Sequence, residues 1–494
     1  MNLDPRTPVL VGAGVADQRH DDPVDSVEAL ELMIRALENA AGDAGSTAVL
    51  AAAQQIAVPE GTWAYRDPGR LLSDRLGASA HTVLADVGIL QQDVLADTCA
   101  RIAAGELDVG LVVGGEARHR AVRARVTGNP APETSQAEGT APDRRWTTTS
   151  LGVHDLEITR NAVTPATSYA LIENARMHHL GRSAGEHRRA LGELGASFAA
   201  VASRNPAAWD RHRYSADEIL RATPQNRMIS TPYTKAMCSQ WNVDQAAGFI
   251  LCSVAAAERF GIARDRWVFP LASAVSNHAV PVIQRPELHR SPGSEATASR
   301  VLELTGLDSD GIAHVDLYSC FPSAVQAFAE ALSISPGRAL TVTGGMSLAG
   351  GPLNNYVLQA LAVLVPLLRT DPASVGLSSS VSGFLVKQGF GLWSATPGAA
   401  ASAGFVHEDV SATAAALDDE PRPVDADHVG VATIVSWTVD HQGGEPFRAV
   451  VVCDTPAGAR TLASTGDAET CVAMSDGDWT GRAVDVREDG SFSW

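Results

Sequence analysis

The run TVTGGMSLAGGPLNNY, Thr341–Tyr356, decides how this chain is read. An apolar, strand-like segment ends at Gly344-Gly345, and a second glycine pair stands at Gly350-Gly351. Pro352 is then placed to open an apolar helix, because proline suits a first helical position. Two glycine pairs between a strand and a helix let the backbone approach a ligand closely. The helix N-terminus beyond them carries unpaired N–H groups and a partial positive charge, which favour an anion or a developing oxyanion. Asn354 and Asn355 are the polar groups at that helix start, with helix capping as their alternative role.

Outward from this loop, short apolar strands alternate with amphipathic helices. Strands are expected at Val9–Val15, Thr82–Val87 and Val109–Gly114, with helices at Ser26–Asn39 and Gln91–Ala104. The pattern returns with strands at Trp267–Ala274, Ala313–Leu317, Ala339–Thr343, Val375–Ser380 and Gly389–Ser394. Helices at Ala296–Leu304, Ser323–Leu332 and Asn354–Leu368 separate them. Strand–helix alternation on both sides of an insertion predicts an α/β protein built from two similar halves. The halves are residues 1–117 with 241–264, and residues 265–396.

Residues 118–240 differ in character and read as an inserted loop or lid domain. Asn129–Asp143 is a Pro/Glu/Thr/Ala loop, expected to be mobile, followed by helices at Tyr169–Leu180 and Ala184–Ala202. Pro397–Gly404 reads as a linker. Residues 405–494, with strands at Val429–Asp440 and Phe447–Asp454, read as a small β-rich module, a barrel or sandwich.

The 494 residues carry 38 basic and 57 acidic side chains, a net charge of −19, which disfavours nucleic acid and anionic membrane as partners. Lys235 and Lys387 are the two lysines. Six cysteines lack CxxC or finger spacing, so neither a zinc site nor a disulfide framework is indicated. The N-terminus has no signal pattern and the longest apolar run, Val357–Leu368, is too short to span a bilayer. A cytoplasmic protein is the expectation. Gly12-x-Gly14 is a weak match to a dinucleotide fingerprint, because Asp17 stands where a third glycine belongs. His178, His179 and His187 read as solvated lid-helix residues and His278 as a structural histidine. Arg182, Arg188, Arg189 and Arg227 are candidates for phosphate contacts, with surface charge as their alternative.

The strand, glycine pair, GGP and helix, preceded by Leu317–Phe321 (LYSCF), resemble the thiolase superfamily. Ile102–Glu116, Thr231–Met237 and Val243–Ser253 fit the same pattern. The chain resembles most the actinobacterial thiolase-like proteins of type one, acetyl-CoA acetyltransferase-like chains with an extra C-terminal domain. The likeness runs over about residues 5–494. It implies the duplicated five-layered αβαβα fold, an insertion that covers coenzyme A, and a β-rich, OB-like C-terminal domain.

The resemblance also marks departures. The nucleophilic cysteine of thiolases opens the helix after the third strand, where the helix N-terminus lowers a thiol pKa. That place falls at Gly88, and neighbouring Gln91 and Gln92 cannot replace a thiolate. The histidine of the GHP motif falls at Gly351, and the Cys-x-Gly motif falls on Val381-Ser382-Gly383. The loop that helps bind the thioester oxygen corresponds to Tyr318, Ser319, Cys320 and Phe321. Tyr318 is a candidate hydrogen-bond donor or acid/base, and Cys320 a candidate nucleophile, with structural burial as the alternative for each. Gly350, Gly351 and Asn354 are candidates to hold an oxyanion.

What the resemblance implies is a thiolase-like enzyme acting on an acyl-CoA or acyl-carrier thioester without the usual Cys/His/Cys set. The thioester is the substrate, and no resident cofactor is expected. The competing readings are a catalytically silent acyl-CoA binder or scaffold, and a thiolase-fold aldolase that uses a tyrosine. The C-terminal module is a candidate partner surface, and both a monomer and a homodimer remain open.

Overall fold

A computed structural model describes residues 3–398 and 405–494. Residues 399–404, most of the expected linker, lie outside the described residues. Four strands precede the insertion, β1 (Pro8–Asp17), β2 (Gln55–Pro59), β3 (His81–Ala85) and β4 (Val109–Ala117), and β5 (Arg144–Trp146), early in the insertion, pairs with β3. The insertion adds β6 (Met228–Ser230) and β7 (Tyr233–Thr234), and β8 (Asp244–Ser253) returns to the first half. The first sheet has the order β1-β8-β4-β2-β3-β5.

The second half supplies β9 (Phe269–Ser276), β10 (His314–Asp316), β11 (Val375–Ser382), β12 (Lys387–Ser394) and β13 (His407–Asp409), in the order β10-β11-β12-β9-β13. The duplication is visible in the pairing. β1 pairs antiparallel with β8, β8 antiparallel with β4, and β4 parallel with β2; in the same way β9 pairs antiparallel with β12, β12 antiparallel with β11, and β11 parallel with β10.

Two helices, Gln91–Ala104 and Tyr356–Thr370, fill the space between the sheets. Val94, Leu95 and Cys99 of one pack with Leu358, Leu361 and Leu364 of the other, among Ala57 and Val112 of the first sheet and Trp393 of the second. Helix Ala29–Ala44 covers the outer face of the first sheet, and helix Pro292–Thr305 that of the second. The result is the layered αβαβα arrangement that the thiolase resemblance implies, built from the two halves that the alternation predicts. Gly12 and Gly14 serve the first of these layers. A Cβ on either would fall within 2.3 Å of a carbonyl oxygen, Ala40 O or Ala36 O, so the pair lets a helix lie against β1.

Three expectations need correction. Ala339–Thr343 is not a strand: the Asp316 carboxylate takes the N–H groups of Val342 and Thr343 at 3.0 and 3.1 Å, replacing a ladder partner. Pro352 does not open the helix. It lies in a turn closed by Asn355 N donating to Pro352 O at 3.1 Å, and the helix begins at Tyr356. The Asn129–Asp143 loop is tied down. Thr134 N donates to Glu28 Oε2 at 2.5 Å, and Gln136 Oε1 accepts Arg66 N and Asp67 N at 2.9 and 2.8 Å.

At the C-terminus, β14 (Gly430–Gln442), β15 (Glu445–Asp454), β16 (Arg460–Thr465), β17 (Ala483–Val486) and β18 (Phe492–Ser493) form an antiparallel sheet of order β16-β15-β14-β17-β18. It extends into the insertion, because β6 pairs with β14. Among the described residues, no helix is long and apolar enough to cross a membrane.

Candidate functional site

The candidate residues gather where the central helices begin, at the strand ends they follow. Gly88, with φ +112°, lies between the bridged residues Val87 and Ile89 after β3, and Leu90 N-caps helix Gln91–Ala104 without any side-chain cap. The Gly88 region therefore faces an uncapped helix N-terminus, as an anion site would. A Cβ built on Gly88 would lie 2.6 Å from Thr148 Cγ2 and 2.9 Å from Leu151 Cδ2. Segment Thr147–Gly152 of the insertion thus occupies the space in which a nucleophilic side chain would stand.

The same holds at Gly351. A Cβ there would lie 2.2 Å from Ser239 Oγ and 3.1 Å from Met346 Cε, so the volume of a histidine is already taken. The N–H of Gly351 donates to Gln240 O at 2.9 Å and is not free for an oxyanion. Gly350, with φ +102°, packs against Gln245, whose Oε1 lacks a donor. Asn354 is also occupied. Its Oδ1 accepts from Gln91 Nε2, and its Nδ2 donates to Glu60 O at 3.1 Å. Asn355 is the N-cap residue but forms no side-chain cap bond, and both its amide atoms are buried without partners.

Beside the glycine loop, Asp316 at the end of β10 is the centre of a buried network. Its Oδ2 accepts from Thr341 Oγ1 at 2.9 Å and Thr343 Oγ1 at 3.0 Å, and its Oδ1 from Tyr356 OH at 2.8 Å. Burial pushes its carboxyl up, while these hydrogen bonds pull it down. Ser319 Oγ donates to Tyr356 OH at 3.4 Å and accepts from Met346 N at 3.0 Å, which fastens the Tyr318–Phe321 turn to the glycine loop.

Tyr318 stands edge-on to Tyr356, with ring centroids 5.7 Å apart, and packs with Met346 and Ala360. Its backbone N–H bonds Ser379 Oγ, while its hydroxyl has no hydrogen-bond partner among the described residues. Burial pushes its ionisation far up, so at neutral pH it is a donor and not a base. The Cys320 thiol is pushed up to about 12 by burial, opposed by a hydrogen bond with Tyr169. At that value the thiolate, the nucleophilic form, is scarce at neutral pH.

Two residues not singled out by sequence reasoning complete the shell. Tyr169, on lid helix Pro165–His179, stacks on Phe321 at 4.7 Å. Its hydroxyl donates to Gly383 O at 3.2 Å and accepts from Leu385 N at 3.1 Å, so it joins the Tyr318–Phe321 turn to the β11–β12 hairpin. Lys387, at the start of β12, donates from Nζ to Gly88 O at 3.1 Å and to Thr148 Oγ1. Being one of two lysines, with apolar Phe384–Val386 before it, was the signal available in sequence. Val381, the remaining position assigned by the resemblance, is a buried strand residue.

The histidines divide. His187 was expected in solvent but is fully buried, its Nε2 2.8 Å from Glu173 Oε1 on the facing lid helix. Glu173 also accepts from Tyr233 OH at 2.8 Å, so this pair is a lid-core network. His178 is exposed beside Asp478, His179 stacks on His289, and His278 Nε2 lies 3.1 Å from Asp418. Arg182 and Arg189 are exposed, and Arg188 donates to Leu220 O at 3.3 Å. No cluster of metal-ligating side chains occurs among the described residues.

A cavity of about 230 Å³ lies beyond the Gly344-Gly345 turn, lined by Val15, Ala207, Thr343, Ala349, Gln359 and Val363, among others.

With duplicated halves, paired central helices and the site loops at their N-termini, the chain has a thiolase fold. A 26%-identical match covers 99% of this chain and 99% of the crystal structure of a monomeric SCP2-thiolase-like protein type 1 from Mycobacterium smegmatis, with a TM-score of 0.83. Residues 414–491 match the family model of the thiolase-like protein type 1 additional C-terminal domain. The chain therefore has the thiolase fold and resembles the thiolase-like proteins of type 1, whose additional C-terminal domain it matches. It is similar in fold to the Ltp2–ChsH2(DUF35) aldolase, at 15% identity and TM-score 0.59, over 79% of this chain and 98% of that one. It is also 23% identical over 261 residues to the benzoylsuccinyl-CoA thiolase subunit BbsB of Thauera aromatica, a match spanning 52% of this chain and 62% of that protein.

Proposed function

We propose that this chain acts on an acyl-CoA-type thioester without an acyl-cysteine intermediate. One observation carries the reading: the volumes at Gly88 and Gly351 are filled by Thr148, Leu151 and Ser239, while the unbonded Tyr318 hydroxyl remains at the site. A neutral tyrosine polarises a thioester or keto carbonyl by donating a hydrogen bond, and stabilises negative charge that develops on its oxygen. Cys320, held as a thiol, packs the turn that presents Tyr318. The apolar cavity beside Thr343 and Ala349 suits an acyl group. The likeness to an aldolase of the same fold extends the candidate chemistry to carbon–carbon bond making or breaking. The β-rich module is a candidate surface for a protein partner.

A second reading, a silent thioester binder, is favoured by the cover that Thr148 and Leu151 place over Gly88. Calorimetric titration with CoA and acetyl-CoA tests both readings, and absence of binding at millimolar ligand defeats both. Tyr318→Phe separates them. Under the enzyme reading it retains binding and loses turnover; unchanged turnover removes Tyr318 from the mechanism. A stable acyl adduct on Cys320 in the intact mass would overturn the assignment of chemistry without an acyl-cysteine.

A further inference from the structure

We infer that Lys387 is a reactive site amine that condenses with the carbonyl of a ketone, standing where a thiolase would hold its thiolate. Position is the first support. Lys387 lies opposite Ser382 across the β11–β12 hairpin, and its Nζ reaches the Gly88 carbonyl at 3.1 Å. One side chain thus links the loop of the absent nucleophile to the hairpin next to Val381.

The environment is the second support. Lys387 is 4% exposed, and burial lowers the pKa of its ammonium, with the Asp93 carboxylate opposing. Desolvation of this kind is how a lysine becomes an amine nucleophile near neutral pH. Asp93 is itself held by His407, whose Nε2 is 3.3 Å from Asp93 Oδ1.

Access is the third. The other partner of Nζ, Thr148 Oγ1, belongs to Thr147–Gly152, which has neither helix nor strand. Thr149, Ser150 and Leu151 of this segment are exposed on its outer side. A single coil segment therefore separates the amine from solvent, and its displacement frees Nζ from one of its two acceptors.

The step balances without an external oxidant or reductant. Neutral Nζ adds to the carbonyl carbon, and the C=O π pair moves to oxygen, which takes a proton to give a carbinolamine. Loss of that hydroxyl with a proton as water leaves the imine. Its protonated form is an electron sink for breaking an adjacent carbon–carbon bond.

The inference does not rest on thioester binding, so acetone and acetoacetyl-CoA serve as separate probes. The full chain is incubated with each in the presence of sodium cyanoborohydride, and the modified peptides are mapped by mass. Two lysines make the result unambiguous. The expected outcome is a reduced adduct on Lys387, an isopropyl group from acetone or a secondary alkyl group bearing the CoA thioester from acetoacetyl-CoA, that appears faster than on exposed Lys235, is unchanged in Lys235→Arg, and is absent at position 387 in Lys387→Arg. Modification of Lys235 with Lys387 untouched by either probe overturns the inference and leaves Lys387 a buried strut. An acetone adduct at Lys387 without binding of acetoacetyl-CoA upholds this inference while defeating the thioester reading. Binding of acetoacetyl-CoA with no adduct does the reverse.

Discussion

At Gly351 the backbone leaves a space that Ser239 takes, and the two residues are coupled through it. Adding a methyl where Ser239 Oγ lies 2.2 Å away forces the loop or the serine to move. Gly351→Ala is expected to cost about 1–3 kcal/mol, the usual range for overpacking a tight site. Ser239→Gly in the same chain should recover most of that loss. Urea denaturation of the two single variants and the double variant measures the coupling, and additive effects would show that the space is not shared. Glu116 carries a second residue-scale prediction. It is buried at the end of β4, accepts Thr62 N at 2.7 Å, and burial pushes its pKa up to about 7. A carboxyl raised in the folded state stabilises it fully below the unfolded pKa, and that contribution is lost as pH rises through the folded pKa. Between about pH 4.5 and 7 the wild type should therefore lose roughly 3 kcal/mol relative to Glu116→Gln, at about 1.4 kcal/mol per pKa unit. Urea midpoints of both proteins across that range test the sign.

Among the elements, the two central helices bear most directly on the site, because both begin at it. Leu361, fully buried in helix Tyr356–Thr370, packs in the layer that also holds Val94 and Leu95. Leu361→Ala should cost about 2–5 kcal/mol and loosen both site loops together. A melting shift that leaves thioester affinity untouched would separate the layer from the site. The helices themselves were legible in sequence. Gln91–Ala104 and Ala184–Ala202 have the limits their spacing and caps predict, since Gly105 ends the first and a Ser183–Glu186 capping box starts the second. Legibility failed where side chains took over the work of the backbone. Asp316 lies 25 residues before Thr341, and its replacement of a strand partner at Val342–Thr343 leaves no local pattern. Pro352 carried a helix-start signal, but Asn354 adopts φ +54° and delays the helix to Tyr356. The Gly-pair loop was readable as a candidate because its composition is local. Tyr169 and Lys387 were not, because they reach it from a lid helix and a hairpin far away in the chain.

On the scale of the whole molecule, the appended sheet is not a loosely tethered module, because the insertion is built into it. Helix Pro165–His179 lies against β14. Asn174 Nδ2 donates to Trp437 O at 2.7 Å, Ser436 Oγ donates to Leu171 O at 2.5 Å, and Met177 joins the apolar core of the appended sheet. Asp440 fastens the corner. It accepts from Thr167 Oγ1 and Ser230 Oγ of the insertion at 2.8 and 2.6 Å, and from Arg448 Nη2 at 2.6 Å. Arg448 in turn donates to Asn161 O at 2.9 Å. The helix held in this way is the one that carries Tyr169 to the site. Asp440→Ala leaves Arg448 half-buried without its carboxylate and the Ser230 hydroxyl without its acceptor, a loss of about 3–5 kcal/mol for a broken buried pair. Because the same contacts position Tyr169, the expected result is one cooperative thermal transition at lower temperature, together with weaker binding of acyl-CoA where binding is found in the wild type. A melt that splits into two transitions, with the binding unchanged, would show that the appended sheet folds apart from the thiolase body and has no hold on the site.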